Sequence, residues 1–255
     1  MTLISRRYVV EIVSLLCCIV IWQLAADYVV RDAFILPSFS DVLASFYHLW
    51  HDMIYDAEIS LLHFGIGMAA GMGVAIPLGI SMGWFRIIDR IFDPIVEIIR
   101  PIAPLAWIPF AIVWLGITHW SAGFIVFIGA VFPILINTYA GFREVPKILI
   151  EAAMVLGCTK DHDLIRRVAF PSAVPRILTG IRIGMGVAWM CVVAAEMFGM
   201  TCGIGYKIPH WANFHRMDHV MAYMLLLGFI ALFIDKAFRY FVEQRLCKWR
   251  RGIMA

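Results

Sequence analysis

The sequence predicts an all-α membrane protein, a bundle of six membrane-spanning helices. Apolar and aromatic residues make up 62% of the 255 residues, and the mean hydropathy is +0.86. Soluble domains have about 45–50% apolar and about 25% charged residues, whereas only 15% are charged here. So few charges cannot make the surface of a globule polar. The composition therefore excludes a soluble enzyme, a disordered protein and a nucleic-acid binder.

Six segments are apolar over the roughly 20 residues that a spanning helix needs. They are residues 9–30, 59–84, 98–117, 122–142, 177–200 and 220–241. Pro101, Pro104 and Pro109 predict a broken or kinked third span, because proline removes a helical N–H donor. Arg6 and Arg7 precede the first segment as in a signal peptide. That segment is too long and has no clear cleavage site, so we predict a retained span.

The Lys and Arg residues predict the orientation. With six spans and an inner N-terminus, 17 of the 21 lie in inner segments and three in outer ones, as the positive-inside rule requires. Both termini are then cytoplasmic, and residues 1–255 form one transmembrane domain with a cytoplasmic loop at 143–176. The first outer loop is acidic. It is either a solvated loop or a docking surface for an extracytoplasmic partner.

Small residues recur at helical spacing in two of the spans. The first row is Gly67, Gly71, Ala75, Gly79 and Gly83, and the second is Gly180, Gly184 and Ala188. Such rows let helix backbones approach closely, which predicts packing within the chain or across a dimer. The six cysteines include no C-x-x-C pair, so we interpret them as small packing residues.

The cytoplasmic loop predicts two short helices that form a compact knob on the inner membrane face. Pro146 suits the first turn of a helix from about Lys147 to Leu156, and Gly157 stands where a glycine ends a helix. A second short helix is expected at about residues 160–169, before Pro171. A soluble partner could grip such a knob.

The loop motif resembles the EAA loop of permease subunits of bacterial ABC importers. It consists of Glu151-Ala152-Ala153, three further residues and Gly157, followed by Val168-Ala169-Phe170-Pro171. The stretch from Gly157 to Pro171 is one residue longer than the family pattern, and Phe170 replaces a common Leu. Other stretches resemble the nitrate/sulfonate/taurine branch: 92–97, 100–109, 180–184, Ala194-Ala195-Glu196 and 203–206.

The resemblance implies the type I ABC importer permease fold and a bacterial inner-membrane transport subunit. Its partners would be a second copy of itself, two cytoplasmic ATP-binding subunits, an extracytoplasmic solute-binding protein and membrane lipid. ATP and Mg would bind the partner ATPase, and this chain would bind no cofactor or metal and be no enzyme. In agreement, the sequence contains no G-x-x-x-x-G-K-[ST] phosphate-binding loop.

The resemblance also assigns functional residues. Coupling to the ATPase would involve Glu151, Ala152, Ala153, Gly157, Cys158 and Lys160. Glu151 would either contact the ATPase directly or hold the loop by hydrogen bonds, and Gly157 would make the turn. The solute would be a small anion, with taurine or an alkanesulfonate as the first choice. Nitrate, bicarbonate and a pyrimidine precursor remain open.

Trp107, Arg182, Trp189 and Glu196 are candidates for the translocation pathway or its gate. Charged residues inside spans usually face a cavity or a partner. Arg182 could instead reach the cytoplasmic interface, and Glu196 could instead make a structural hydrogen bond. The outer loop 207–219 is rich in histidine and aromatic residues. We interpret it as a gate loop or a binding-protein contact rather than a metal site.

Two other classes of function remain as alternatives. An ion-coupled secondary transporter would need charged relays or repeats with broken helices, and only Arg182 and Glu196 qualify. A membrane enzyme would need histidines paired inside spans. Only His63 lies in a predicted span, and His119 lies at the edge of one.

Overall fold

A computed structural model describes residues 2–242. The C-terminal basic residues Arg245, Lys248, Arg250 and Arg251, predicted to be cytoplasmic, and Cys247 lie outside the described residues. The helices are α1 (Thr2–Leu24), α2 (Phe39–His48), α3 (Trp50–Trp84), α4 (Arg86–Ile99), α5 (Ile108–Leu115), α6 (His119–Arg143), α7 (Lys147–Val155), α8 (Asp161–Leu164), α9 (Phe170–Gly199), α10 (Ile204–Asn213) and α11 (Met217–Phe241).

Five helical stretches within residues 2–242 are long and apolar enough to cross a membrane, or six if α4 and α5 count as one bent span. The prediction of an all-α membrane protein is therefore confirmed. The first predicted span falls on α1 and the π-helical turn Ala25–Val30. The second, fourth, fifth and sixth fall on α3, α6, α9 and α11.

The third span differs from a straight helix between residues 98 and 117. α4 and α5 meet at 90°, and only the 3-10 turn Pro104–Trp107 leads into α5. Pro101 and Pro104 lack the N–H donors that a continuous helix would need at this point. The chain therefore reorients between α4 and α5, as the prolines predict.

α6 is the central helix of the bundle, and both rows of small residues pack against it. Ideal Cβ atoms placed on Gly67 and Gly79 would lie 2.4 Å from Val126 and 2.8 Å from Thr138. A Cβ on Gly180, in α9, would lie 2.6 Å from Asn137 on α6. The rows thus bring the α3 and α9 backbones against α6, and the predicted packing within the chain is confirmed.

The loop predicted to be cytoplasmic contains one separate short helix rather than two. α7 ends at Val155, close to the predicted Leu156. The second predicted helix joins α9 through α8 and the π-helical turn Ile165–Ala169, in which the Phe170 N–H donates to the Ile165 carbonyl. This shift of hydrogen-bond register places Pro171 in the first turn of α9, where its missing N–H is tolerated.

At the end predicted to be extracytoplasmic, α3 begins nine residues before the predicted span. Its 35 residues span about 52 Å, well beyond a hydrocarbon core of about 30 Å. The extension packs with α2, α10 and α11 in a second apolar cluster around Met53, Ile204 and Tyr223. Asp56 is buried there and accepts a 2.9 Å hydrogen bond from Tyr223, so its carboxylate is not part of the exposed outer surface.

Candidate functional site

α7 and α8 (residues 147–164, the α7–α8 knob) expose large apolar side chains outside the bundle. Val155 is 88% exposed and Leu156 is 85% exposed, and Ile148 is 71% exposed. Glu151 and Ala152 are also exposed, whereas Ala153 is buried. Contiguous exposed apolar surface of this kind marks a site of protein–protein interaction.

Glycine at position 157 sets the shape of the knob. Its φ is +93°, a left-handed conformation that glycine adopts without strain. Its N–H donates to the Met154 carbonyl, and the Cys158 N–H donates to the Ala153 carbonyl, both at 3.0 Å. These two bonds form a Schellman motif, which closes α7 and turns the chain back. Gly157 and Cys158 therefore shape the end of α7 through their backbone N–H groups.

Lys160 begins the returning arm of the knob. Its carbonyl accepts hydrogen bonds from the Asp163 and Leu164 N–H groups at 3.0 and 3.1 Å, so it stands at the N-terminus of α8 with an exposed side chain. The ion pair between Arg176 and Glu144 links α9 to the end of α6 beside the knob. The knob is thus connected to two spans.

A cleft of 790 Å³ separates α7 from the start of α9. Apolar side chains of both helices line it, among them Leu149, Ala152, Leu156, Val168, Pro171 and Pro175. The motif residues Glu151, Ala152, Ala153, Gly157, Cys158 and Lys160 therefore lie on one compact element. The geometry suits a surface that a partner protein grips.

A buried hydrogen-bond network surrounds Glu196 at the opposite end of the bundle. The side chain is fully buried. One carboxylate oxygen, Oε2, accepts from the Ser60 hydroxyl at 2.9 Å and from the Gly205 N–H at 2.8 Å. The other, Oε1, lies 2.8 Å from His63 Nδ1, and His63 Nε2 lies 2.9 Å from Nδ1 of the exposed His119.

The Glu196 network (Ser60, His63, His119, Glu196 and Gly205) ties four helices together. Its residues belong to α3, α6, α9 and α10. A buried carboxylate needs partners for its oxygens, and these side-chain and backbone donors supply them. The network thereby fixes the turn between α9 and α10.

Two glycines permit this turn. Gly203 has a φ of +101°, and a Cβ on it would lie 2.4 Å from the Glu196 carboxylate carbon. A Cβ on Gly205 would lie 2.5 Å from the Val193 carbonyl oxygen. The G-I-G stretch of the sequence therefore lets the backbone close over Glu196.

The other three pathway candidates lie apart from Glu196. Arg182 forms a bidentate ion pair with Asp235 of α11, at 2.8 and 2.9 Å. Trp189 is buried in the bundle, and its Nε1–H donates to the Leu227 carbonyl at 3.3 Å. Trp107 is half-buried beside Phe124. Within residues 2–242, the four candidates thus have separate sets of partners.

The sequence does not reveal the partners of the two charged candidates. His63 and His119 looked unpaired because they lie 56 positions apart, yet their ring nitrogens are 2.9 Å apart. Asp235 was not matched with Arg182. The sequence signal that could have found these pairs is the depth of each residue in the membrane. Polar residues of antiparallel spans can meet when they lie near the same membrane face.

The outer histidines pack on aromatic rings. His215 stacks on Phe34 at 5.3 Å, and His219 contacts Trp211 edge to face at 4.6 Å. Within residues 2–242, no three His, Cys, Asp or Glu side chains are grouped as a metal site requires. These histidines are part of the packing around a 430 Å³ outer cavity.

Comparison with known proteins supplies the family. Residues 75–244 match the model of the binding-protein-dependent transport system inner membrane component. The chain belongs to this family. It is 41% identical, over 97% of its length and 94% of the relative's, to a putative ABC transporter permease protein of Methanocaldococcus jannaschii.

Further relatives place the chain in the nitrate/sulfonate/taurine branch of this permease family. A putative aliphatic sulfonates transport permease protein of Bacillus subtilis is 32% identical over 92% of this chain and 85% of its own length. Relatives named as taurine, nitrate and bicarbonate permeases also match. The predicted family and branch are therefore confirmed.

A solved structure supports the fold. The chain resembles a chain of the MetNI methionine ABC transporter in an inward-facing conformation, with a TM-score of 0.66 and 20% identity. The match covers 76% of this chain and 96% of the other. This permease is a transport subunit and not an enzyme, and ATP hydrolysis lies on a partner. ATP-binding subunits and a solute-binding protein are the partners that the family implies.

Proposed function

We propose that two copies of this permease form the translocation pathway of an ATP-driven importer for a small anion. The α7–α8 knob carries the proposal, because it exposes Val155 and Leu156 outside the spans in the shape that the Schellman turn fixes. Each knob binds a groove on one cytoplasmic ATPase subunit. The chain itself binds no nucleotide, metal or other cofactor.

Coupling follows from the way the knob is attached. α8, the π-helical turn and α9 form one helical stretch of 39 residues, so a push on the knob moves α9 along its whole length. Glu196 lies near the far end of α9 and holds the α9–α10 turn. ATPase closure therefore reaches the predicted outer gate through α9.

A second copy completes the pathway. α5 exposes Phe110, Val113 and Trp114 at 53%, 80% and 63%, an apolar surface that the second copy would cover. The names of the relatives favour taurine or another alkanesulfonate as the solute, followed by nitrate and bicarbonate. A pyrimidine precursor is the remaining choice.

Purification from native membranes tests the assembly. A tagged chain in mild detergent should recover two ATPase subunits for two permease copies, measured by mass spectrometry and mass photometry. Recovery of the chain without an ATPase, together with ATP-independent uptake in liposomes, would replace this proposal with a secondary transporter.

The orientation has a separate test. Cys158 lies on the knob and is half-buried. A membrane-impermeant maleimide should label it in inside-out vesicles and not in right-side-out vesicles. The reverse pattern would place the knob, and hence both termini, outside.

A further inference from the structure

α4 is an amphipathic helix with three separate faces. Its 14 residues follow α3 directly at the basic end of the bundle. Ile88, Phe92 and Val96 pack on the apolar core, and the charged residues occupy a second face. An additional face carries Ile87, Ile91, Ile95 and Ile98, which are 75%, 55%, 46% and 73% exposed. A short helix with this pattern, set at 90° to the following segment Pro104–Leu115, suits the membrane–water interface.

A cationic cavity of 710 Å³ adjoins the polar side of α4. Four cations line it: Arg86 and Arg90 from α4, Arg143 from the end of α6, and Lys147 from the start of α7. Asp89 is the single carboxylate, and it binds Arg143 at 2.7 Å. The charges of the lining therefore sum to +3 at neutral pH.

Most of these cations are available to a ligand. Within residues 2–242, Arg86, Arg90 and Lys147 form no ion pair, and the side chains of all three are exposed. Trp84, the last residue of α3, also lines the cavity, and tryptophan is enriched at the level of lipid headgroups. The cavity thus combines cations with a tryptophan of the kind found at the membrane–water interface.

We propose that this cavity binds the phosphate of an anionic phospholipid whose acyl chains cover the isoleucine face of α4. Charge complementarity selects the headgroup, because basic pockets on the cytoplasmic side bind anionic lipids. A phospholipid also supplies hydrocarbon to cover the four exposed isoleucines beside the cations, which free phosphate does not. The inference rests on the proposed cytoplasmic orientation of this end.

The site also touches the coupling element. Lys147 and Ile150 of α7 line the same cavity as Arg86 and Arg90. A bound lipid therefore contacts the base of the α7–α8 knob, and lipid composition should influence how firmly the knob is held.

Lipid binding by the purified transporter, in whatever assembly it is isolated, tests the site. The chain is placed in nanodiscs of phosphatidylcholine with or without phosphatidylglycerol, and lipids that remain bound are counted by native mass spectrometry. Arg86→Gln with Arg90→Gln should weaken phosphatidylglycerol binding by about 25-fold, since each cation near the headgroups contributes a factor of about five. Arg86→Lys with Arg90→Lys should retain most of the binding.

Matched variants decide the outcome. Lys236→Gln removes an exposed cation of α11 and should leave the bound lipid unchanged. Equal binding by the wild type and the double Gln variant would overturn the proposal, as would displacement by millimolar inorganic phosphate. ATPase co-purification, measured on the same samples, separates failure of the lipid site from failure of the importer assembly.

Discussion

Glu196 and His63 lie 2.8 Å apart, with both side chains fully buried at one end of the bundle. When Glu196 is ionised, His63 Nδ1 donates to it, and the other ring nitrogen faces His119 at 2.9 Å. Hydrogen-bond contacts through two imidazole rings thus connect the buried carboxylate to the exposed His119. The same carboxylate holds the α9–α10 turn, because it accepts a hydrogen bond from the Gly205 N–H.

Removal of the Glu196 carboxylate should destabilise the protein. Glu196→Ala leaves Ser60, His63 and the Gly205 N–H without their acceptor, and each buried donor left unsatisfied costs about 1–3 kcal/mol. The thermal unfolding temperature in detergent should fall markedly. Glu97→Ala, on the exposed side of α4, should change it little, and equal effects of the two variants would argue against the network.

Gly203 should tolerate no side chain. Gly203→Ala places a methyl group against the Glu196 carboxylate and forces a φ of +101° on alanine, so transport should fall together with stability. Gly73→Ala is the control, because that helical glycine has open space around its Cβ position and alanine gains up to about 1 kcal/mol in a helix. Normal uptake by Gly203→Ala would contradict a role of this turn in the gate.

At Gly157, the effect of backbone conformation can be separated from the effect of steric clashes. A Cβ at Gly157 meets nothing within 4 Å, but its φ is +93°. Gly157→Val should therefore misplace the knob and reduce ATPase recruitment, because β-branched residues disfavour positive φ. Gly157→Asn should retain more activity, since asparagine enters this region more readily. The comparison is made by co-purification, and equal losses would contradict a conformational role.

Cys202 reports on the charge of Glu196. Burial, then the negative charges of Glu196 and Asp56, raise the pKa of the Cys202 thiol. Because the thiolate reacts, alkylation should be slow at neutral pH and accelerate as pH rises through the raised pKa. Glu196→Gln removes one of these charges, which lowers that pKa and speeds alkylation at fixed pH. Peptide mass spectrometry measures the rates, with Cys158 as the unaffected control.

The sequence predicted the fold class well, because spanning helices and proline breaks leave strong local signals. The span rich in Gly67, Gly71 and Gly79 packs as predicted. Local patterns could not reveal that His63 meets Glu196, since such contacts depend on the register of distant helices. The join between α8 and α9 was also missed, because the π-helical turn before Pro171 changes the hydrogen-bond register without a clear sequence signal.

The central claim is that the exposed apolar tip of the knob recruits the ATPase. The most direct measurement compares ATPase co-purification and ATP-dependent uptake between the wild type and the variant Val155→Ser with Leu156→Ser. Both side chains are more than four-fifths exposed, so stability should be unchanged while recruitment and uptake are lost. Ile117→Ser, at an exposed position in the loop between α5 and α6, should retain both. Full recruitment and uptake by the double variant would contradict the account.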